Sequence, residues 1–517
     1  MPSRARLSIA ALCVLCGLSW CAHAFDTGHH EDLTKQAMRH YGFKPTSIKI
    51  VQLENWLVDY FAADPLVDVD QNFRIDMEAL HFDNLFSTSD VDQYWRNLLA
   101  NLDSSISASM NDTSASSSER RKELLTVMGI ALHAVQDFYT HSNWASFYPQ
   151  LSDGSYRRTT YLSDGLPPDV ATDGLYTGFY ANKITRDKPT DAAEHGDYFT
   201  GMNKDSHIRP DWDQAYVFAY FDSINLIAYI KSKIDSHSSS FFGYMTDMDS
   251  DDLGLRETAE LTLARAAAYD VSMLIQNSTQ DGHYKGNLSG YGTEIITDEI
   301  LWILDIGNPW VAYAFNLRST LTPCLYDRNP GTRDCSAPPT RPDDIRFNDD
   351  IAALQVRIMN VYTSHGADDG TESDFYPILS VGDDGSDYIR NYTDRIIQST
   401  DNYQSDAHPD SNNQPISAWY QIWFFDASSS QVPLRLKVFD QDPTWADADD
   451  VIDISSDGNN LDMTYTPSSQ QTSGEVPTGT YSLDNLVTSH GGNHPNAYLD
   501  FYVTHVAISD YSGDTID

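Results

Sequence analysis

Cysteine is scarce in this chain, and basic residues are scarce beside acidic ones. Five cysteines occur in 517 residues, and three of them, Cys13, Cys16 and Cys21, fall in the first 21 positions. A disulfide-dense scaffold is therefore excluded. Cys324 and Cys335 remain, with ten residues between them, and are expected to close one short disulfide loop in an oxidising compartment. Lys and Arg number 33 against 75 Asp and Glu. So acidic a chain is repelled by nucleic acid and by anionic lipid unless cations intervene. Long hydrophobic runs are missing as well. No segment approaches the ~18–20 apolar residues of a membrane-spanning helix. No internal repeat is found.

The start of the chain reads as a secretory leader over residues 1–24. Arg4 and Arg6 give the positive end, Leu7 to Leu18 the apolar stretch, and Ala22-His-Ala24 the small-x-small cleavage signal. The mature protein is expected to begin at Phe25, to be secreted and soluble, and to be a monomer. Removing Arg4 and Arg6 leaves 31 basic residues against 75 acidic, a net charge of −44.

What is present is concentrated in Ala131-Leu-His-Ala-Val-Gln-Asp-Phe-Tyr-Thr-His-Ser-Asn-Trp144. His133, Asp137 and His141 are spaced by four inside an apolar, helix-forming run. On a helix they fall along one face. Leu132, Val135, Phe138 and Trp144 leave little room for that face to be exposed. Buried imidazoles and carboxylates cost desolvation energy unless a cation compensates them, and this donor set suits zinc.

The organisation changes along the chain. Residues 25–321 carry helical patterns, with Leu124 to Phe138, Ala215 to Ile234 and Leu255 to Ile275 as the clearest. A Ser-rich stretch over 103–119 reads as a loop or helix connection. Residues 322–345 are proline-rich, hold both remaining cysteines, and read as a linker. From 346 to 517, alternating runs such as Leu354-Gln-Val-Arg-Ile358 and Leu434-Arg-Leu-Lys-Val-Phe439 lie between Gly, Asp and Asn clusters, the pattern of a β-sandwich. The expected fold is multidomain: an all-α catalytic domain followed by an all-β sandwich.

Other metal-ligand types precede and follow the helix: Asp26-Thr-Gly-His-His-Glu-Asp-Leu-Thr34, Asn55-Trp-Leu-Val-Asp-Tyr60, His81-Phe-Asp83, His195 and Asn203-Lys-Asp205. Their order resembles the zinc-dependent phospholipases C and the fungal single-strand nucleases. The run His-Ala-x-Gln-Asp-Phe-x-x-His-Ser-Asn is also similar to the heterokaryon-incompatibility branch. The start Phe-Asp-Thr-Gly-His-His resembles the secreted zinc metallophospholipases C of Pseudomonas and Legionella. The resemblance covers most of residues 25 to about 320 and implies three zinc ions. One would be held by Asp59, His81, His133 and Asp137. A second would take the amine and carbonyl of Phe25, His30, and Asp137 as a bridge. The third would take His141, His195 and a carboxylate. His30 fits the pattern better than His29. Two departures leave alternatives open. The family's later carboxylate follows its His by four residues, but position 199 is Phe, so Asp205 or Asp197 must serve, with Asp205 preferred. Asp59 lies unusually far before His81, and Asp64, Asp68 and Asp70 are its rivals. Asp59 would also orient or deprotonate the attacking water. Trp144, Tyr139 and Phe82 have the aromatic faces to line a choline or lipid site, with simple core packing as the alternative.

The C-terminal region carries a separate signal. Asp368 and Asp374 stand six apart after the first strand, and Asp440-Gln-Asp442 closes a later one. This resembles the calcium-dependent lipid-binding domains, of the C-two type, in synaptotagmin and protein kinase C. The resemblance implies calcium held by Asp368, Asp374, Asp440, Asp442 and either Asp447 or Asp449, with Asp449 preferred. Calcium would let this acidic protein touch a phospholipid surface. The resemblance thus implies a secreted zinc phospholipase C, a phosphoric diester hydrolase with a virulence setting. It would cleave phosphatidylcholine and similar lipids to diacylglycerol and a phosphorylated headgroup. A nuclease or nucleotidase on the same fold, and a non-enzymatic metal-binding surface protein, are the alternatives. The charge speaks against nucleic acid.

Overall fold

The computed structural model describes residues 27–62, 79–166, 174–180, 189–196, 201–205, 209–277, 309–322, 345, 350–363, 374–381, 397–400, 404–407, 420–440, 450–455, 460–489 and 497–509. The expected leader, Phe25, Asp64, Asp68, Asp70, Asp197, Cys324, Cys335, Asp368, Asp442, Asp447 and Asp449 lie outside them. Among the described residues, no helix is long and apolar enough to cross a membrane.

Long helices fill the first part: α1 (Thr27–Arg39), α2 (Pro45–Ala62), α3 (Thr88–Asn111), α4 (Ser117–His141), α5 (Trp212–His237), α6 (Gly254–Asn277) and α7 (Pro309–Leu321). A capping box opens α4. The Ser116 hydroxyl accepts from the Glu119 N–H, and Glu119 returns a carboxylate to the Ser116 N–H. From Leu124 to His141 every residue of α4 is buried, so α4 is the hub that the other helices surround. Gly129 makes this possible. A Cβ there would lie 2.6 Å from the Val51 carbonyl oxygen and 2.8 Å from Glu54 Cβ. The missing side chain lets α2 lie against α4, which brings Asn55 and Asp59 beside His133.

One expectation needs correcting. The Ser-rich stretch 103–119 is not a single connection, because α3 runs through to Asn111 and only 112–116 turns. Leu98, Leu102, Ile106 and Met110 recur every four residues and are buried. That apolar stripe outweighs the low helix propensity of the intervening serines.

The later part is antiparallel sheet. Strands β2 (Ile351–Thr363), β6 (Tyr420–Asp426), β11 (Val487–Thr488) and β12 (Ala497–Val506) form one sheet in the order β11-β12-β2-β6. A larger sheet runs β10-β9-β7-β3-β4-β5, with β8 beside β7. Its strands are β3 (Asp374–Val381), β4 (Ile397–Thr400), β5 (Gln404–Ala407), β7 (Val432–Asp440), β8 (Asp450–Ile452), β9 (Leu461–Thr466) and β10 (Gln471–Gly474). Leu354, Val356, Ile358, Trp423 and Phe425 of the small sheet share a core with Leu434, Leu436 and Val438 of the large one. The opposite face of the small sheet, with Ala353, Tyr420, Ile422 and Phe424, joins the core of the helices. The small sheet is therefore a middle layer, buried on both sides. This explains why Tyr420-Gln-Ile-Trp-Phe-Phe425 is a nearly continuous apolar run rather than an alternating one. A short parallel pair, β1 (Tyr156–Arg157) with β13 (Ile508–Ser509), links the two parts again.

Candidate metal centre

Three helices deliver one half of the centre. His30 comes from α1, Asp59 from α2, and His133 and Asp137 from α4. His81 joins them from the segment before α3. The groups His30–His133–Asp137 and Asp59–His81–His133 are each close enough to hold one cation, and all five residues are buried. His30 Nε2 lies 3.1 Å from Asp137 Oδ1 and His133 Nε2 lies 3.0 Å from Asp137 Oδ2. His81 Nε2 lies 3.2 Å from Asp59 Oδ1 and His133 Nε2 lies 3.7 Å from the same oxygen. Donor atoms around a tetrahedral zinc stand about 3.3 Å apart, given bonds near 2 Å. The observed spacings fit.

Hydrogen bonding explains why the ring nitrogens point inward. The His30 Nδ1 meets Gln136 Oε1 at 2.6 Å, and the His133 Nδ1 meets Asn55 Oδ1 at 3.1 Å. Both acceptors are themselves held. Asn55 donates to Gln136 Oε1 and to Thr34 Oγ1, and Gln136 donates to Thr34 Oγ1 and Ser223 Oγ. An acceptor at Nδ1 puts the proton there and leaves the lone pair on Nε2, facing the carboxylates. Asn55 and Gln136 stand within the sequence motifs, but with no role legible there. Their signal was polarity on helix faces that must be buried.

The fit to a cation rests on atoms that protein alone leaves unsatisfied. Both oxygens of Asp137, the Nε2 of His133, Asp59 Oδ2 and His195 Nε2 are buried and make no hydrogen bond among the described residues. Such atoms are costly to bury unless something binds them all. Charge agrees. Burial pushes the Asp137 carboxyl up, but the charges of His133 and His141 overcome it and hold it well below the carboxylate range. Burial also raises Asp59, and His133, His81 and His30 reverse that and lower it. Burial depresses His133, which favours the neutral, ligating ring.

The other half is carried by irregular backbone. Asp83, His141 and His195 form a third buried group. Phe82 has φ +57° and Asn84 φ +61°, a left-handed turn that few non-glycine residues adopt. That turn lets His81 face the helix-borne half while Asp83, two residues on, reaches the third group. His195 is placed by close backbone approach. A Cβ on Gly178 would lie 2.5 Å from His195 Cα, and the Gly178 N–H donates to the His141 carbonyl. Two carboxylates meet these histidines. Asp83 Oδ1 is 2.7 Å from His195 Nδ1 and 3.8 Å from His141 Nδ1. Asp205 Oδ1 is 3.3 Å from His141 Nε2. Distance alone groups Asp83 with both rings. Hydrogen bonding divides the roles differently, because His141 Nδ1 also lies 2.9 Å from the His81 carbonyl, which leaves Nε2 for Asp205. The Asn203 side chain donates to Asp205 and also accepts its N–H. Next to it, Lys204 Nζ donates to the carbonyls of Thr140, Ser142 and Met202. That caps the end of α4 and ties the Asp205 segment to it.

Some sequence candidates stand elsewhere. His29 packs against Trp212 and Tyr216, at ring separations of 4.8 and 5.8 Å, and belongs to none of the three groups. Phe82, Tyr139 and Trp144 are fully buried and pack tilted or edge-on around Phe138, so they are core and not a choline lining. Asp374 opens β3 and Asp440 closes β7, and the two strand ends are neighbours in the ladder, with Phe375 opposite Asp440. The remaining calcium candidates lie outside the described residues.

No family model matches the chain, and no curated protein matches it. Among solved structures, an alpha toxin from Clostridium absonum aligns over 86% of this chain and all of its own, at 10% identity and a TM-score of 0.13. A likeness that weak carries no argument about fold or activity.

Proposed function

We propose that the protein is a secreted zinc-dependent phospholipase C, with three zinc ions in the helical part. The observation that carries this reading is the linked set of buried donors around Asp137 and His133, where both Asp137 oxygens and His133 Nε2 make no hydrogen bond among the described residues. His30 and Asp137 would hold one ion together with the Phe25 terminus. Asp59, His81 and His133 would hold another, with Asp137 as the bridge. His141 Nε2, His195 Nε2 and Asp205 would hold the third, and Asp83 would orient His195. Zinc bound there supplies positive charge against the anionic oxygens of a phosphodiester and makes water more acidic.

The chain's own groups do the rest. Asp59 is the most exposed of these carboxylates, at 8%, and its Oδ2 is uncommitted among the described residues, so it is the group suited to orient and deprotonate an attacking water. Asn55, Gln136 and the His81 carbonyl fix three imidazole tautomers. The extreme acidity disfavours nucleic acid as substrate. Calcium at the Asp-rich loops of the C-terminal sheets would offset that acidity at a phospholipid surface. The test is an assay of the mature protein, with and without added zinc, on a phospholipid panel and on single-stranded DNA. Zinc-dependent release of phosphorylated headgroup is expected. Cleavage of DNA alone, or no zinc dependence, contradicts the reading.

A further inference from the structure

The first helix is gripped from both sides. One face of α1 belongs to the metal centre, through His30 to Gln136 and through Thr34 to Asn55 and Gln136. The other face belongs to the C-terminal sheet. Gln421 of β6 donates to Asp32. The Phe424 N–H of β6 donates to Gln36 Oε1 at 2.8 Å, and Gln36 Nε2 donates to Tyr216 Oη at 3.1 Å, all buried. Arg39 Nη1 donates to the Val381 carbonyl of β3 at 3.0 Å. An aromatic stack runs alongside. Phe424 lies on Tyr220 with centroids 3.6 Å apart and planes at 2°, and Tyr420 meets Trp212 at 5.2 Å. Trp212 in turn carries His29, the neighbour of His30. A helix of 13 residues is marginal by itself in water, so its position is set by what it packs on.

We infer that the C-terminal sheet is part of the metal centre's framework: β6 clamps α1, with Gln36 and Gln421 as positioning residues, and so sets His30 against Asp137. The inference rests on the reading that His30 and Asp137 hold zinc. It separates the two halves of the centre. His195 is held by Asp83, His141 by the His81 carbonyl and by Asp205, and Asp205 by Asn203, all partners within the helical part, so their ion is set apart from the clamp. It also replaces the picture of two independent modules, because a helical fragment cut from the sheet would lose one side of α1.

The test uses the full mature chain and two variants, Gln36→Leu in the helix and Gln421→Ala in the sheet. Neither residue is a ligand. Zinc per chain is measured across a graded chelator series, and hydrogen exchange is followed over 27–39 and 128–141. Both variants are expected to release one zinc at about 10- to 100-fold lower chelator strength, the usual size of an outer-contact effect. Exchange should rise in α1 and stay unchanged in α4. Retention of every zinc as in wild type overturns the inference, and so does loss of all of them together, which marks general unfolding. Wild-type protein that binds no zinc would instead defeat the functional reading. The clamp is then decided by exchange alone, and unchanged exchange in α1 overturns it.

Discussion

His30, Asp59, His133 and Asp137 stand on three long helices, whereas Asp83, His195 and Asp205 stand on irregular segments outside them. The first set is positioned by helix packing at Gly129 and by the Asn55–Gln136–Thr34 bonds. The second is positioned by a left-handed turn at Phe82, by the close approach of Gly178, and by the grip of Lys204 on the end of α4. His141, the last residue of α4, joins the two. Packing of long helices is shared over many side chains, and local turns depend on a few. Segments of the second kind open at lower free-energy cost. The loop-borne ion should therefore be the more labile of the three.

The largest effect is expected where the comparison collapses into one residue. His133 belongs to both groups of the helix-borne half and Asp137 lies 3.0 Å from it, so Asp137→Asn should lose the metals of that half. Hydrolysis should fall by roughly 10³-fold, several kcal/mol of transition-state charge stabilisation. Metal analysis beside a headgroup-release assay reads both. Full activity in that variant would break the account.

Next in size are changes confined to one half. Asp205→Asn should empty the loop-borne site, and Asp83→Asn should weaken it by about 10- to 100-fold without emptying it, if Asp83 orients and Asp205 ligates. The reverse order in a chelator titration would exchange their roles. Gly178→Ala should act on the same site alone, because its Cβ would press on the His195 backbone. Gly129→Ala should instead lower the stability of the whole helical part, by about 1–3 kcal/mol, through overpacking against α2. Thermal unfolding and zinc retention together separate the two glycines.

The smallest effect on metal is a control in the core that both halves share. Asp222 is fully buried, accepts from Tyr139 Oη and from the Leu162 N–H, and burial pushes its pKa up to about 6. With the folded value above the ordinary carboxylate value, the folded protein binds the extra proton in that interval. This contribution to stability is present below about pH 4 and is lost as pH rises through 6, a change of roughly 3 kcal/mol. Asp222→Asn should flatten that part of the stability–pH curve and leave zinc content unchanged. A change in zinc content would mean that the core and the site are not separable.

The same contrast governs what could be read from the sequence. The helix α4 was legible because its ligand types recur at a helical period inside an apolar run, and β2 and β7 were legible from alternation. Asp83 was visible beside His81 but had no readable role, since that role depends on the positive φ of Phe82. Asn55 and Gln136 act on His133 and His30 across 78 and 106 residues of chain, through tautomers that no local pattern records. The clamp on α1 was hidden for a similar reason. Tyr420-Gln-Ile-Trp-Phe-Phe425 announces a buried strand, but not that its second face meets the helices.

The most direct measurement is anomalous diffraction at the zinc edge from crystals of the mature protein. The account predicts three peaks: one between His30 and Asp137, one among Asp59, His81 and His133, and one at His141 and His195. The third should be the first to vanish on brief exposure to chelator. Strong zinc peaks elsewhere, or none beside Asp137 in protein that hydrolyses phospholipid, would contradict it.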